Sequence, residues 1–271
     1  MRGRGGSVRL VRQTQRSSGR GISPVFLGIL AFTAFFGYLV WRAEWLPGAG
    51  PSSRAGLAVF AFVVGAWVVS LCLHEFGHAA LAHRFGDHSV AARGYLTLDP
   101  RKYTDMTLSI VLPVLFLMLG GIGLPGGAVW IDRGAIQGRL RHSMVSFAGP
   151  AANIVFAILC GAAIQQWAFE SEHTTFWVAI GYLGFLQVTA AVLNLLPVPG
   201  LDGFGIWEPY LPRAFVQKVA GYGMWVFIGL LVLLWIPPLN RAFFTVVYGI
   251  TGWFGIPEEF AQVGHSVFMF W

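Results

Sequence analysis

Apolar residues run along this chain in long blocks, separated by short clusters of Gly, Pro and Arg. Five blocks, residues 24–41, 56–82, 143–167, 176–196 and 220–236, approach or exceed the length a helix needs to cross a hydrocarbon core, about 20 residues at 1.5 Å each. A shorter run at 242–256, interrupted by glycines, is a sixth candidate. Segment 106–131 is just as apolar but carries Pro113, Pro125, Gly120, Gly121, Gly123, Gly126 and Gly127. Irregular backbone at membrane depth survives only where protein or a water-filled cavity satisfies its polar groups. The pattern therefore predicts an all-α polytopic membrane protein of about six transmembrane helices plus a re-entrant, partly β element. Residues 127–131 are expected to form its short strand and to line a cleft.

Charge supports the re-entrant reading. With a cytosolic N-terminus and a segment 106–131 that enters and returns on one side, 15 of the 18 basic residues face the cytosol, leaving only Arg42, Arg54 and Arg241 outside. A single crossing would move Arg133, Arg139 and Arg141 out and invert every later span, against the positive-inside bias. The same bias accounts for the net charge of +6, so no nucleic-acid partner is expected. At 56% hydrophobic and 11% charged residues, the chain is expected in the cell membrane as a multi-pass protein embedded in the lipid bilayer. Residues 1–23, rich in Arg, Gly, Ser and Gln, read as a disordered basic cytosolic tail, and 24–41 as a retained helix. Cys72 and Cys160 both fall within expected spans and imply no disulfide framework.

One block carries chemistry. His74 and His78 lie one helical turn apart on the same face, so both imidazoles can reach one metal ion, and Glu75 lies about 100° around from His74. This is the H-E-x-x-H pattern, in which the carboxylate serves a metal-bound water. Ionisable residues inside a membrane span are costly and mark function. A catalytic zinc site takes three protein ligands and keeps one open position. Asp202 is the best third ligand, because Pro197 and Pro199 end the preceding helix and force extended backbone that can aim its carboxylate sideways. His78 lies about four residues from the cytosolic end of its span, which places one Zn2+ per chain roughly 6 to 12 Å inside the membrane, opening to the cytosolic side.

Three motifs across residues 56–203 resemble the site-2 protease family of intramembrane zinc metalloproteases, in the short form without a PDZ domain. They are His-Glu-x-x-His at 74–78, Asn-x-x-Pro-x-Pro-x-Leu-Asp-Gly at 194–203, and Gly-Pro-Ala-Ala-Asn at 149–153 between them. Gly200 within the proline loop and the long Gly-rich stretch 106–131 depart from the family pattern. The resemblance implies that His74, His78 and Asp202 bind zinc, that Glu75 is the general base, and that Asn194 lies beside the substrate. Asn153 stands open between substrate binding and helix packing, one turn from Gly149. An extended substrate would add a strand to the re-entrant element at Gly127 and Ala128. The layout is then a tail at 1–23, a membrane-embedded protease domain at 24–256 with its catalytic core at 56–203, and a C-terminal tail at 257–271. The implied activity is hydrolysis of a peptide bond within or near a transmembrane segment of a membrane protein, such as a tethered regulator of the anti-sigma factor kind. A non-proteolytic zinc scaffold has no use for Glu75. A metal transporter needs polar residues continuing to the outer face, and the outer halves of these spans carry almost none.

Overall fold

A computed structural model describes residues 21–44, 52–103, 111–120 and 129–271. Its helices are α1 (Pro24–Trp41), α2 (Ser53–Arg84), α3 (Ser89–Ala92), α4 (Leu112–Gly120), α5 (Arg139–Ala163), α6 (Thr174–Leu195), α7 (Asp202–Trp207), α8 (Arg213–Ala220), α9 (Gly223–Leu234), α10 (Pro237–Trp253) and α11 (Glu258–Phe268). Four are long and apolar enough to cross a membrane: α1, α2, α6, and α5 with the π-helical turn that extends it to Ala168. The protein is a helical membrane protein.

Local chemistry sets the boundaries. Ser23 caps α1 by accepting the Val25 N–H at 3.1 Å, and Ser52 caps α2 by accepting the Ala55 N–H at 3.3 Å. Pro197 ends α6. α2 and α6 form the centre and are mostly buried, while α1 is mostly exposed and lies on the rim. α1, α5 and α6 all pack on α2. Trp67, Tyr182, Leu186 and Phe268 fill the middle of this bundle with no exposed surface.

Two of the six expected spans take another form. The run 220–236 is broken at Gly221–Tyr222, so α9 has 12 residues and reaches only about 18 Å. The run expected at 242–256 begins earlier, because Pro237 and Pro238 occupy the first helical turn, where their missing N–H groups cost nothing; the resulting α10 has 17 residues. Residues 257–271, expected as a tail, contain α11. Its Ala261, Gly264, Val267 and Phe268 recur at helical spacing and bury against α6 and α2.

None of the described residues is in a strand. Val129, Trp130 and Ile131 continue as irregular chain, because the Val129 N–H pairs with a side-chain carboxylate instead of a neighbouring strand. Within segment 106–131 the described helix, α4, has 9 residues and is too short to cross. Gly127 and Ala128 lie outside the described residues.

Candidate active site

Fifteen polar or charged residues are buried among the described residues, and His74, Glu75, His78, Asn153, Gln187, Asn194 and Ser70 of these lie on α2, α5 and α6, the helices that meet at the centre. On α2 the His74 and His78 Nε2 atoms stand 3.1 Å apart. Asp202, the first residue of α7, closes the group: its Oδ2 lies 3.2 Å from His74 Nε2 and its Oδ1 3.3 Å from His78 Nε2. All three ligand-type atoms fall within 4.8 Å of one another, which suits a single metal ion.

The far side of each ring explains why. His74 Nδ1 lies 2.7 Å from Asn153 Oδ1, and His78 Nδ1 lies 2.7 Å from the Val145 carbonyl oxygen. Both partners are acceptors, so each Nδ1 carries the proton and each Nε2 presents a lone pair. Two lone pairs and a carboxylate aimed at one point repel each other unless a cation sits between them. The donor set therefore fits zinc, with two imidazoles and one carboxylate.

α5 makes this possible through Gly149. A Cβ there would fall on the Nε2 atoms of His74 and His78, so only glycine lets this helix pass so close to the two rings. Asn153, one turn on, then reaches His74. Its Nδ2 donates to Gln187 Oε1 at 2.7 Å, Gln187 Nε2 donates to Ser70 Oγ at 3.0 Å, and Ser70 Oγ donates to the Trp67 carbonyl at 2.9 Å. The amide orientations are assigned from this network. Every link is buried, and the chain ties α5 to α6 and back to α2.

Glu75 is 2% exposed. Its Oε1 lies 4.0 Å from His74 Nε2 and its Oε2 accepts the Val129 N–H at 3.0 Å. That bond brings the end of segment 106–131 onto the site. A second carboxylate holds the same stretch from below: Asp87, 1% exposed, accepts the Asp132 N–H at 2.8 Å and the Ser89 N–H at 2.9 Å. Sequence reasoning passed over Asp87, whose only signal was a carboxylate placed just after the zinc-motif helix. It also passed over Gln187 and Tyr103. The Tyr103 hydroxyl donates to the Cys72 carbonyl at 3.2 Å, and burial pushes its phenol above the ordinary value, so it stays a neutral donor.

Asp202 owes its position to the proline loop. The Leu201 N–H bonds the Val198 carbonyl at 3.0 Å, and Gly200 turns the chain with φ of +99°, a left-handed conformation that side chains rarely adopt. The departure at Gly200 thus has a conformational cause. α7 is tied to α5 where Ser143 Oγ donates to the Ile206 carbonyl at 2.7 Å. Asn194 is 5% exposed, one helical turn upstream of this loop.

The chain is 46% identical over 265 residues to a protein of Mycolicibacterium smegmatis named as a zinc metalloprotease, Rip2, covering 98% of each. It is also 46% identical to the Mycobacterium tuberculosis protein of that name, covering 95% of this chain and 96% of the other. A Bacillus subtilis protein named as a zinc metalloprotease, YwhC, is 31% identical over 68% of this chain and 88% of its own length. The chain belongs to the site-2 protease family. It is a membrane metalloprotease with zinc as its cofactor. No family model and no solved structure matches this protease.

Proposed function

We propose that the protein hydrolyses a peptide bond within or near the transmembrane segment of another membrane protein, as one step of regulated proteolysis. The observation that carries this reading is the burial of His74, Glu75 and His78, each at most 6% exposed, inside a 32-residue helix of membrane-spanning length. His74, His78 and Asp202 hold the ion. Bound there, zinc polarises the scissile carbonyl and lowers the pKa of water. Glu75 takes the proton from the attacking water and passes it to the leaving amine. The Val129 N–H orients Glu75 by occupying Oε2, leaving Oε1 for the proton.

The substrate must present extended backbone, because a helix hides its carbonyls in its own hydrogen bonds. Gly127 and Ala128 are the pairing positions we assign to it, and Asn194, beside the proline loop, is the polar contact on the other wall. The N-terminus and the opening of the site face the cytosol, the side on which the basic loops cluster. A membrane-tethered regulator of the anti-sigma factor kind is the class of substrate this arrangement serves.

The test is cleavage of single-span reporter proteins in proteoliposomes, with the cut sites mapped by mass spectrometry. Cuts within the apolar segment, reduced about 10²- to 10⁴-fold by Glu75→Gln with zinc content unchanged, are the expected result. Cuts confined to water-exposed loops would overturn the intramembrane assignment.

A further inference from the structure

A cavity of about 530 Å³ opens at the N-terminal end of α5, beside the chain that follows α7 and the start of α8. Its size falls in the range of small-molecule sites, about 300–1,000 Å³. Arg133, Arg139, His142 and Arg213 line it with Glu208. Arg133 Nη1 donates to Glu208 Oε2 at 2.7 Å, so those two charges compensate each other. Arg139 and Arg213 make no ion pair among the described residues. His142 Nε2 is held 3.0 Å from the Ile136 carbonyl. The cavity therefore presents two uncompensated guanidiniums, which form bidentate bonds to phosphate oxygens.

Its surroundings narrow the ligand. α5 starts at the cavity, and from there an exposed apolar stripe runs at helical spacing through Leu140, Met144, Phe147, Val155 and Leu159. On a membrane helix such a stripe faces acyl chains. The opposite wall is α8, with Val216 toward the cavity and Lys218 on its last turn. A phosphate-bearing molecule with apolar tails would place its headgroup between Arg139 and Arg213 and its chains along α5. A free phosphate uses the cations and leaves the stripe unused. An acidic peptide has no need of a lipid-facing stripe.

We propose that this cavity binds the headgroup of an anionic phospholipid at the membrane surface. Arg139 and Arg213 supply the charge and the Leu140–Met144–Phe147 face seats the tails. The site lies on the side where α7 joins α5, since Gly205 of α7 packs against Ser146 and Arg133. The bound lipid braces the helix that presents Asp202.

The test uses the full-length protein in non-ionic detergent, titrated with phosphatidylglycerol or phosphatidylcholine and read by native mass spectrometry. At about 1 kcal/mol per basic residue near an anionic surface, the two arginines give roughly a 10- to 30-fold preference for phosphatidylglycerol. Arg139→Gln with Arg213→Gln removes that preference, and Arg54→Gln with Arg241→Gln leaves it intact. Equal binding of the two lipids, or a preference that survives the first pair of substitutions, overturns the proposal. Inorganic phosphate that displaces phosphatidylglycerol at equal concentration assigns the cavity to a free anion instead. A soluble acidic peptide that binds while phosphatidylglycerol shows no preference assigns it to protein, and both results reject the lipid. Should the double variant fail to fold, Arg213→Gln alone, at an exposed position, gives the same comparison at smaller amplitude, and Arg139→Lys with Arg213→Lys keeps the preference.

Discussion

The imidazoles and the carboxylates of the site are held in different ways. His74 and His78 sit on one rigid helix, and each is fixed from behind by a buried acceptor on α5. Glu75 and Asp202 depend on irregular chain: Glu75 on a single backbone N–H from residue 129, Asp202 on the turn from Val198 to Leu201. The α2–α5–α6 wall is made of long helices with interdigitated side chains and a continuous buried hydrogen-bond chain. The opposite wall is a strap and a six-residue helix. A metalloprotease needs both properties, since ligand geometry must stay fixed while substrate backbone has to enter. The rigid wall suits metal binding and the irregular wall suits access.

Removing the rigid wall's ligands has the largest effect. His74→Ala with His78→Ala leaves a lone carboxylate, and the purified variant retains no stoichiometric zinc by metal analysis. Asp202→Asn, by contrast, leaves the two fixed imidazoles, so zinc binds weakly and is stripped by mild chelators. If Asp202→Asn loses zinc as completely as the double histidine variant, the two walls contribute equally and the contrast fails.

Asn153→Ala separates two buried amides of the rigid wall, Asn153 on α5 and Asn194 on α6. It removes the acceptor behind His74 and frees that ring to rotate, which lowers zinc affinity by about 10- to 100-fold. Asn194→Ala, at the position proposed to contact substrate, leaves zinc affinity unchanged and lowers cleavage. Competition with a fluorescent chelator measures the first, and reporter cleavage under zinc saturation measures the second. Zinc loss in Asn194→Ala alone would exchange the two roles.

Much of this contrast was legible before any coordinates. The H-E-x-x-H spacing and the run of apolar residues around it identify both histidines, Glu75 and the helix that carries them. Asp202 follows from the two prolines beside it. The central spans are legible too, because 20-residue apolar blocks leave few alternatives. What stayed hidden depends on contact between distant segments. Asn153 lies in a small-residue stretch that packing and substrate binding explain equally well, and only the approach of α5 at Gly149 places it behind His74. Gln187 reads as one polar residue in an apolar span. The C-terminal third differs for a local reason: Gly221 and Tyr222 interrupt the run 220–236 and leave the 12-residue α9, while Pro237 starts α10 before residue 242. α11 is legible in principle, its 260, 261, 264, 267 and 268 spacing being helical, but its 11 residues are too few for a span.

Asp87→Asn tests the irregular wall at its anchor. The carboxylate accepts two backbone N–H groups, Asp132's on Oδ2 and Ser89's on Oδ1, and an amide has one acceptor oxygen, so it keeps one of the two bonds, without the charge, and turns an NH2 donor toward the other N–H. The strap loosens, Val129 leaves Glu75 more often, and kcat falls several-fold with zinc affinity unchanged. Asp87→Ala leaves both N–H groups without their acceptor, at about 1–3 kcal/mol each if water does not replace it, and its loss of activity is larger. Equal loss of zinc and of kcat would mean that the strap supports the ligands as well as the base.

The smallest effect is expected at the far end of the buried hydrogen-bond chain. Ser70 is three hydrogen bonds from His74: its hydroxyl accepts from Gln187, Gln187 accepts from Asn153, and Asn153 accepts from His74. Ser70→Ala removes one acceptor and leaves Gln187 Nε2 buried without it, which costs about 1–3 kcal/mol of stability. Zinc is affected only through the freedom this gives Gln187, and Asn153 still has the Gln187 oxygen to hold it. Thermal unfolding should therefore shift downward while zinc affinity changes by less than about threefold, well short of the 10- to 100-fold expected at Asn153. The ordering Asn153, then Gln187, then Ser70 in zinc affinity is what a chain of links anchored on a rigid wall requires. A Ser70→Ala variant that loses zinc as strongly as Asn153→Ala would show that the three side chains act as one cooperative unit, in which the wall's rigidity resides in the polar network rather than in the packing of α2, α5 and α6.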